Sequence, residues 1–482
     1  MELVFKMGEA LAAFLRLYSL VMLGPLILGG CGPQGALMPT VLTGGLNARE
    51  IAAPSVAQTV SPEASATIGA STAVEGEGVL KLRARVPEGS WARRQREAVT
   101  LRLWLDGVYS QDIVLYGGDR EHVYAVSLGA LSAGPHTLRF DWFAPGSAQQ
   151  LNSAHILEAE LNVVAAGSPN YEVLRRAPIV YGRPDAHVSD TPILMMYEQY
   201  EGPTGRTVRY TPVFSNEDGG TPTKALWARW GRTLDIDWCY EVETNPQGQA
   251  VRETYQGQWH RTRTFRGRHE QAHPVLRVAT DNNCFHDRGE TLFRFRPLPS
   301  FHWQPERMAR EEILDRNPWS YALSAAELVR ESKAVVDQET HAPPKKNLAG
   351  DSRRYLIVEF NQVNRGRGVG IAVTLKGDPA QYHSNSHQQN LQASRTGWCR
   401  VAVELPRHIE ANEIQSIALC GKGRGEADIT GVRKVLTFNR NCEPIPLPIR
   451  DIGPATLKKD ADRLYLYGPE GPTSALNRAT GL

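Results

Sequence analysis

The chain contains no Gly-x-Ser-x-Gly elbow, no phosphate-binding loop and no dinucleotide fingerprint. That removes the sequence grounds for a serine hydrolase of that type, a P-loop NTPase or a Rossmann enzyme. No cofactor is called for. An excess of one charge is also missing: 54 Lys and Arg stand against 52 Asp and Glu, a net of +2. The balance excludes a general attraction to nucleic acid. The apolar stretch Leu17 to Leu28 is too short to span a bilayer as a helix. Residues 32–78 are poor in aromatics and rich in Ala, Ser, Thr, Gly and Pro, so they lack the apolar area that offsets ordering entropy.

What the amino-terminal segment does have is Leu28-Gly-Gly-Cys31 closing that short apolar run. Small residues before a cysteine behind an h-region resemble a bacterial lipoprotein signal. The resemblance implies removal of residues 1–30, diacylglycerol on Cys31, and a cell-envelope location with the membrane as a partner through the lipid. Gly32 rather than Asp after the cysteine favours the outer membrane if the host has two. Residues 31–78 then read as a flexible tether.

Glycine (43) and proline (31) are spread along the chain rather than packed into one tract, as in short strands joined by turns. At 482 residues the chain suits several modest domains. From Val79 the apolar period becomes two: Val79–Val86, Val99–Leu105, His122–Leu128, His136–Phe143 and Ile156–Val164 alternate. The expected fold class is mainly β and multidomain, with antiparallel sandwiches, a central β-rich domain and a short helical connector. Residues 79–166 form the first sandwich, and Leu131-Ser-Ala-Gly-Pro-His-Thr-Leu138 is similar to the late strand of bacterial immunoglobulin-like domains. Residues 168–300 form the central domain. Residues 301–350 are the helical connector, with a helix over Arg307–Arg316 and a capping box at Ser324–Glu327. Residues 353–450 make a second sandwich of jelly-roll type, and 451–482 a tail. The segment after Gly425-Glu-Ala-Asp428 is similar to the closing strand of galactose-binding-like modules.

In an oxidising compartment cysteines default to disulfides. Cys239 pairs with Cys284 on this reading, worth about 4 kcal/mol of loop entropy. Cys420 pairs with Cys442, while Cys399 stays free or bridges elsewhere.

Four patterns bear on chemistry. His269-Glu-Gln-Ala-His273 matches H-E-x-x-H, which binds zinc only when both imidazoles share one helical face. The β-like residues before it and Pro274 after it predict extended backbone, so no metal is expected. Arg176–Asp185 and His273–Asn283 resemble two landmarks of the vacuolar-protein-sorting-associated β-rich family. Arg183 and Asp281-Asn282-Asn283 replace that family's histidine-bearing ends. Glu217, Asp218, Asp235 and Asp237, with Arg232, cluster carboxylates that suit Ca²⁺ or a general acid and base. Finally, Arg261, Arg263, Arg266, Arg268, Arg294 and Arg296 alternate with Thr and Phe near Trp259 and Trp303. Such a face holds an anionic or sugar ligand by bidentate contacts and stacking, or is simply solvated. The sequence thus reads as a lipid-anchored binding or structural protein, with a glycan or another envelope protein as partner. The alternative is a hydrolase of an envelope polymer that uses the central carboxylates. Convergence of those carboxylates in space would favour it.

Overall fold

The computed structural model describes residues 57–217, 219–335, 348–384 and 391–468, and the chain is mainly β. Cys31 and Asp218 lie outside the described residues. No described helix is long and apolar enough to cross a membrane.

The first sandwich has eight strands: β1 (Gln58–Val60), β2 (Ala66–Thr72), β3 (Gly76–Arg85), β4 (Thr100–Leu105), β5 (Val108–Val114), β6 (His122–Leu131), β7 (Gly134–Trp142) and β8 (Ala154–Ala165). They form two antiparallel sheets, β1-β8-β3-β6 and β2-β7-β4-β5. Alternation drives the packing. Leu80, Leu82 and Ala84 of β3 meet Leu101, Leu103, Leu138 and Phe140 in one core, while Lys81 and Arg83 face outward. The fold begins earlier than the composition suggests, because β1, β2 and the start of β3 fall within the expected tether. In β2, Ala66 and Ile68 point inward and Thr67 and Gly69 outward, so small side chains fill the sheet without much apolar content.

The central region carries helix α1 (Tyr171–Arg175) and strands β9 (Ile179–Tyr181), β10 (Pro192–Glu201) and β11 (Arg206–Phe214). Helix α2 (Thr223–Trp230) follows, then β12 (Asp235–Ile236), β13 (Tyr240–Thr244), β14 (Ala250–Gly257) and β15 (Arg261–Thr264). The region closes with β16 (His269–Glu270), β17 (His273–Val278), β18 (Phe285–His286), β19 (Arg294–Phe295) and β20 (Pro299–His302). One sheet runs β15-β14-β13-β11-β10-β20, with β20 parallel to β10. A smaller sheet runs β16-β17-β9-β19. Its β9 and β17 pair in parallel, Val275 opposite Ile179 and Arg277 opposite Tyr181, so the two segments of the family resemblance lie side by side.

The connector is shorter than expected: α3 (Glu312–Asp315) and α4 (Trp319–Arg330). Helix α4 starts five residues before Ser324, directly after Pro318, whose fixed φ suits a helix start. Ser324 therefore sits inside the helix, its hydroxyl 2.7 Å from that of Thr233.

The last sandwich comprises β21 (Tyr355–Leu375), β22 (Gln381–His383), β23 (Gly397–Glu404), β24 (Ile414–Phe438), β25 (Pro444–Leu447), β26 (Ala455–Leu457) and β27 (Arg463–Tyr467). Strands β21 and β24 pair along nearly their whole length, and each half has its own outer partners. They cross closely near Gly425, where a Cβ would lie 1.9 Å from the Arg365 carbonyl, so only glycine fits. Residues 425–428 thus lie inside a strand rather than before one, and the expected tail supplies β26 and β27.

Alternate residues of β21 serve two cores. Leu356, Val358 and Phe360 fill the sandwich, whereas Tyr355 and Ile357 join Trp227, Tyr321 and Phe438 in the core that continues into the first sandwich. Trp227 stacks on Tyr355 at 4.3 Å between ring centroids. On the same outer face Arg400, fully buried, bonds Glu359 at 2.7 Å and Asp315 at 2.6 and 2.9 Å.

All five described cysteines are free thiols, which corrects both expected disulfides. Cys239 lies in the apolar core beneath the central sheet, and Cys284 sits in the loop after β17 with its N–H bonded to Thr280. Cys420 is in mid-β24 and Cys442 in the turn beyond its end. A largely extended run separates the latter pair, whereas bridged Cα atoms lie within about 7 Å.

Candidate functional site

Strand pairing brings the central carboxylates together. Asp235 of β12 lies opposite Phe214, three residues before Glu217, and Asp237 follows β12 directly. The loop after β17 closes over them: Asn283 donates to Asp235 at 3.1 Å. The Asn282 amide, in the orientation that satisfies both neighbours, donates to Glu217 at 2.8 Å and accepts from His260 Nε2 at 3.0 Å. The Thr221 N–H also donates to Glu217, at 2.8 Å.

Arg232 is buried and pairs with Glu311 at 3.3 Å. Arg310 bridges Glu311 at 3.5 Å and Asp237 at 3.8 Å. Burial pushes the Asp235 carboxyl well above the usual range, and repulsion from Asp237 and Glu217 adds to it against Arg232 and Asn283. Glu217 is raised for the same first reason, with Arg232 and Thr221 opposing. Burial acts upward on Glu311 too, but Arg395, Arg310 and Arg232 together hold it below its usual range.

The link from this cluster to solvent is a three-residue turn between β14 and β15. Trp259 (φ 63°) and His260 (φ 54°) are both left-handed, a conformation most side chains avoid. His260 is fixed by Gln256 at 2.7 Å, by Asp237 at 3.3 Å and by Asn282. Trp259 at the tip is 82% exposed. Beyond it, Arg261 and Arg263 project from one face of the edge strand β15, and neither makes a salt bridge among the described residues.

Glu217, Arg232, Asp235 and Asp237 therefore converge, the arrangement that would favour the hydrolytic alternative, and Arg261 and Arg263 follow His260 on β15. Sequence reasoning missed His260; its only signal is Trp-His standing where a hairpin of this kind prefers Asn or Gly. Arg294 and Arg296 are not on a solvated face. Arg294 is buried and Arg296 half-buried, and both contact Glu270, Arg296 at 3.5 Å. Trp303 turns inward, its indole N–H donating to the Met308 carbonyl at 3.0 Å.

The H-E-x-x-H residues form the β16–β17 hairpin, so the two imidazoles do not share a helical face. His269 meets Glu253 at 2.8 Å, and His273 meets the Ala177 carbonyl at 2.8 Å and Glu77 at 3.3 Å. Among the described residues one carboxylate trio, Glu312, Asp315 and Glu359, is compact enough for a cation. Arg400, Arg433 and Lys434 already neutralise it, at 2.6–2.9 Å.

No protein-family model matches the chain, and no curated protein does. Among solved structures it is similar to a ruminal GH26 endo-beta-1,4-mannanase, at 10% identity over 23% of this chain and 20% of that one, TM-score 0.17. The C-terminal domain of EclA, a sugar-binding protein, is similar at 16% identity over 23% and 69%, TM-score 0.15. An active site mutant of a family two carbohydrate esterase from Clostridium thermocellum is similar at 13% identity over 30% and 37%, TM-score 0.14. The chain thus spans a minor part of the mannanase and of the esterase. At TM-scores this low, the likenesses carry no argument about its chemistry.

Proposed function

We propose that the protein binds a glycan at the face formed by Trp259, Arg261 and Arg263. One observation carries this reading: an indole 82% exposed on a backbone that is left-handed at two successive non-glycine residues. Each such residue costs about 1–2 kcal/mol. The arrangement persists because three partners fix His260, and what it achieves is to hold a flat aromatic surface out in water. An indole in that position stacks on the apolar face of a sugar ring, and the flanking guanidiniums donate to hydroxyls. Replacing Trp259 with Ala should abolish retardation in polysaccharide-containing native gels while leaving the melting temperature unchanged. Equal retardation of variant and wild type would reject the reading.

The hydrolytic reading has the convergence of Glu217, Asp235 and Asp237 in its favour. Glycosidases need two carboxylates flanking the scissile bond. Asp235 is 2% exposed and Glu217 7%, so among the described carboxylates of the cluster Asp237 alone is open to a polymer. Binding without turnover is the better fit. Incubation with the bound polysaccharide should release no reducing ends.

The anchor rests on the sequence Leu17–Cys31. Two or three acyl chains, at about 0.8 kcal/mol per buried CH₂, make attachment stable. Replacing Cys31 with Ala should move the protein to the soluble fraction, and unchanged fractionation would remove the lipid from the proposal. Kinship of the central domain with the vacuolar-protein-sorting-associated β-rich family is likewise proposed, supported by its two landmark segments lying in neighbouring parallel strands.

A further inference from the structure

We infer that the glycan carries acidic groups, and that a second subsite for them lies in the groove formed by Arg266, Arg268 and Arg288. This inference rests on the glycan reading and extends it from the Trp259 face to a chemical class of ligand. The groove encloses about 310 Å³ and is lined also by Gly267, Val275, Asp287, Gly289 and Glu290. That is at the small end of ligand pockets, suited to a single sugar unit rather than a chain.

Its charges are unevenly committed. Arg268 is taken by Glu270 at 2.6 Å and by Glu290. Asp287, largely buried, accepts the Arg266 backbone N–H at 2.8 Å and faces His286 at 3.4 Å. The guanidiniums of Arg266 and Arg288, both exposed, make no salt bridge among the described residues. Two free guanidiniums therefore border a concave space whose acidic members already have partners. A planar guanidinium fork matches a carboxylate or a sulfate in two parallel hydrogen bonds.

Tyr255, buried, lies between the groove and the Trp259 hairpin. Tyr255 lies opposite Arg263 in the β14–β15 ladder, and its ring packs against His286, the residue before Asp287, at 6.4 Å. Tyr255 lies in the electrostatic field of both Arg263 and Arg288. A chain of sugars stacked on Trp259 would pass over the exposed Arg263, with Tyr255 beneath it, to set an acidic unit in the groove.

The test uses the full chain and four probes: polygalacturonate for carboxylate, dextran sulfate for sulfate, and mannan and dextran as neutral controls. Wild-type protein should bind one or both anionic polymers more tightly than the neutral ones, and the advantage should fade in high salt. Arg266→Ala and Arg288→Ala should each cost roughly tenfold toward the anionic polymer and spare any neutral one. Trp259→Ala should weaken both kinds. Anionic polymers bound no better than neutral ones, or unchanged binding by the double arginine variant, would overturn the subsite and leave the glycan reading standing. If no polymer binds, the glycan reading fails; titration with free galacturonate and inorganic sulfate then tests the groove alone, and absence of binding there overturns it as well.

Discussion

Glu327 gives the sharpest quantitative expectation. It is fully buried on α4, where it accepts from the Trp91 indole at 2.8 Å, the Ser189 hydroxyl at 3.1 Å and the Asp190 N–H at 3.1 Å. Burial, reinforced by Glu331, moves its carboxyl from the ordinary 4.5 up to about 7, although Ser215, Arg330 and Trp91 oppose this. A raised acid holds its proton more tightly in the folded state than in the unfolded one. Its stabilisation is therefore complete below about pH 4.5 and is lost as pH rises through about 7. At about 1.4 kcal/mol per pH unit the swing comes to about 3 kcal/mol. Glu327→Gln keeps the site neutral at every pH. Urea unfolding of variant and wild type at pH 5 and pH 8 isolates the effect, since all other titrations cancel in the difference. The variant should be within about 1 kcal/mol of wild type at pH 5, the scale of a rearranged hydrogen bond. At pH 8 it should be the more stable by up to about 3 kcal/mol. Parallel pH profiles for the two proteins, or a variant less stable at pH 8, would refute the argument.

Arg400→Ala leaves Glu359 with Arg433 alone and Asp315 with Lys434 alone, one buried cation short, and should cost up to about 3–5 kcal/mol by denaturant unfolding; a loss under about 1 kcal/mol would show that the two remaining cations and water suffice. Ellman titration of the unreduced, unfolded protein should find free thiols at Cys239, Cys284, Cys399, Cys420 and Cys442, and labelling of fewer than five of these would restore a disulfide. Chelation should leave stability unchanged and elemental analysis should find no stoichiometric zinc, because His269 and His273 face different partners; one zinc per chain, lost with both histidines replaced by Ala, would reverse that.

The sequence revealed strands where one face is wet and one is dry, since the period of two is then visible. Leu80, Leu82 and Ala84 against Lys81 and Arg83 are the clear case. It hid β2, where the inward residues are Ala66 and Ile68 and the outward ones Thr67 and Gly69, too small to make a contrast. It also hid β21 and β24 as single long strands, because glycines at 366, 368, 421, 423 and 425 look like turns, whereas Gly423 and Gly425 lie against the backbone of the partner strand. For the site, the carboxylates were legible from their density in sequence. His260 was not, because its role comes from meeting Asp237 and Asn282, residues that only strand pairing brings near. The arginines were legible as a set but not as individuals: alternation cannot say that Arg294 and Arg296 turn inward to Glu270 while Arg266 stays in water.

Trp227 pressed between Tyr355 and Phe438 means that the last sandwich is not a detachable module. Part of its outer sheet face is apolar because it is another region's interior, so a truncation at the connector would expose Trp227 on one fragment and Tyr355, Ile357, Leu436 and Phe438 on the other. Each fragment would then carry a sticky aromatic patch and an unbalanced half of the Arg400 charge network. Domain shuffling, which spreads independent binding modules through genomes, is closed to this unit without recoding that face. Any recombinant study has to keep the chain whole from Gln58 to Tyr467.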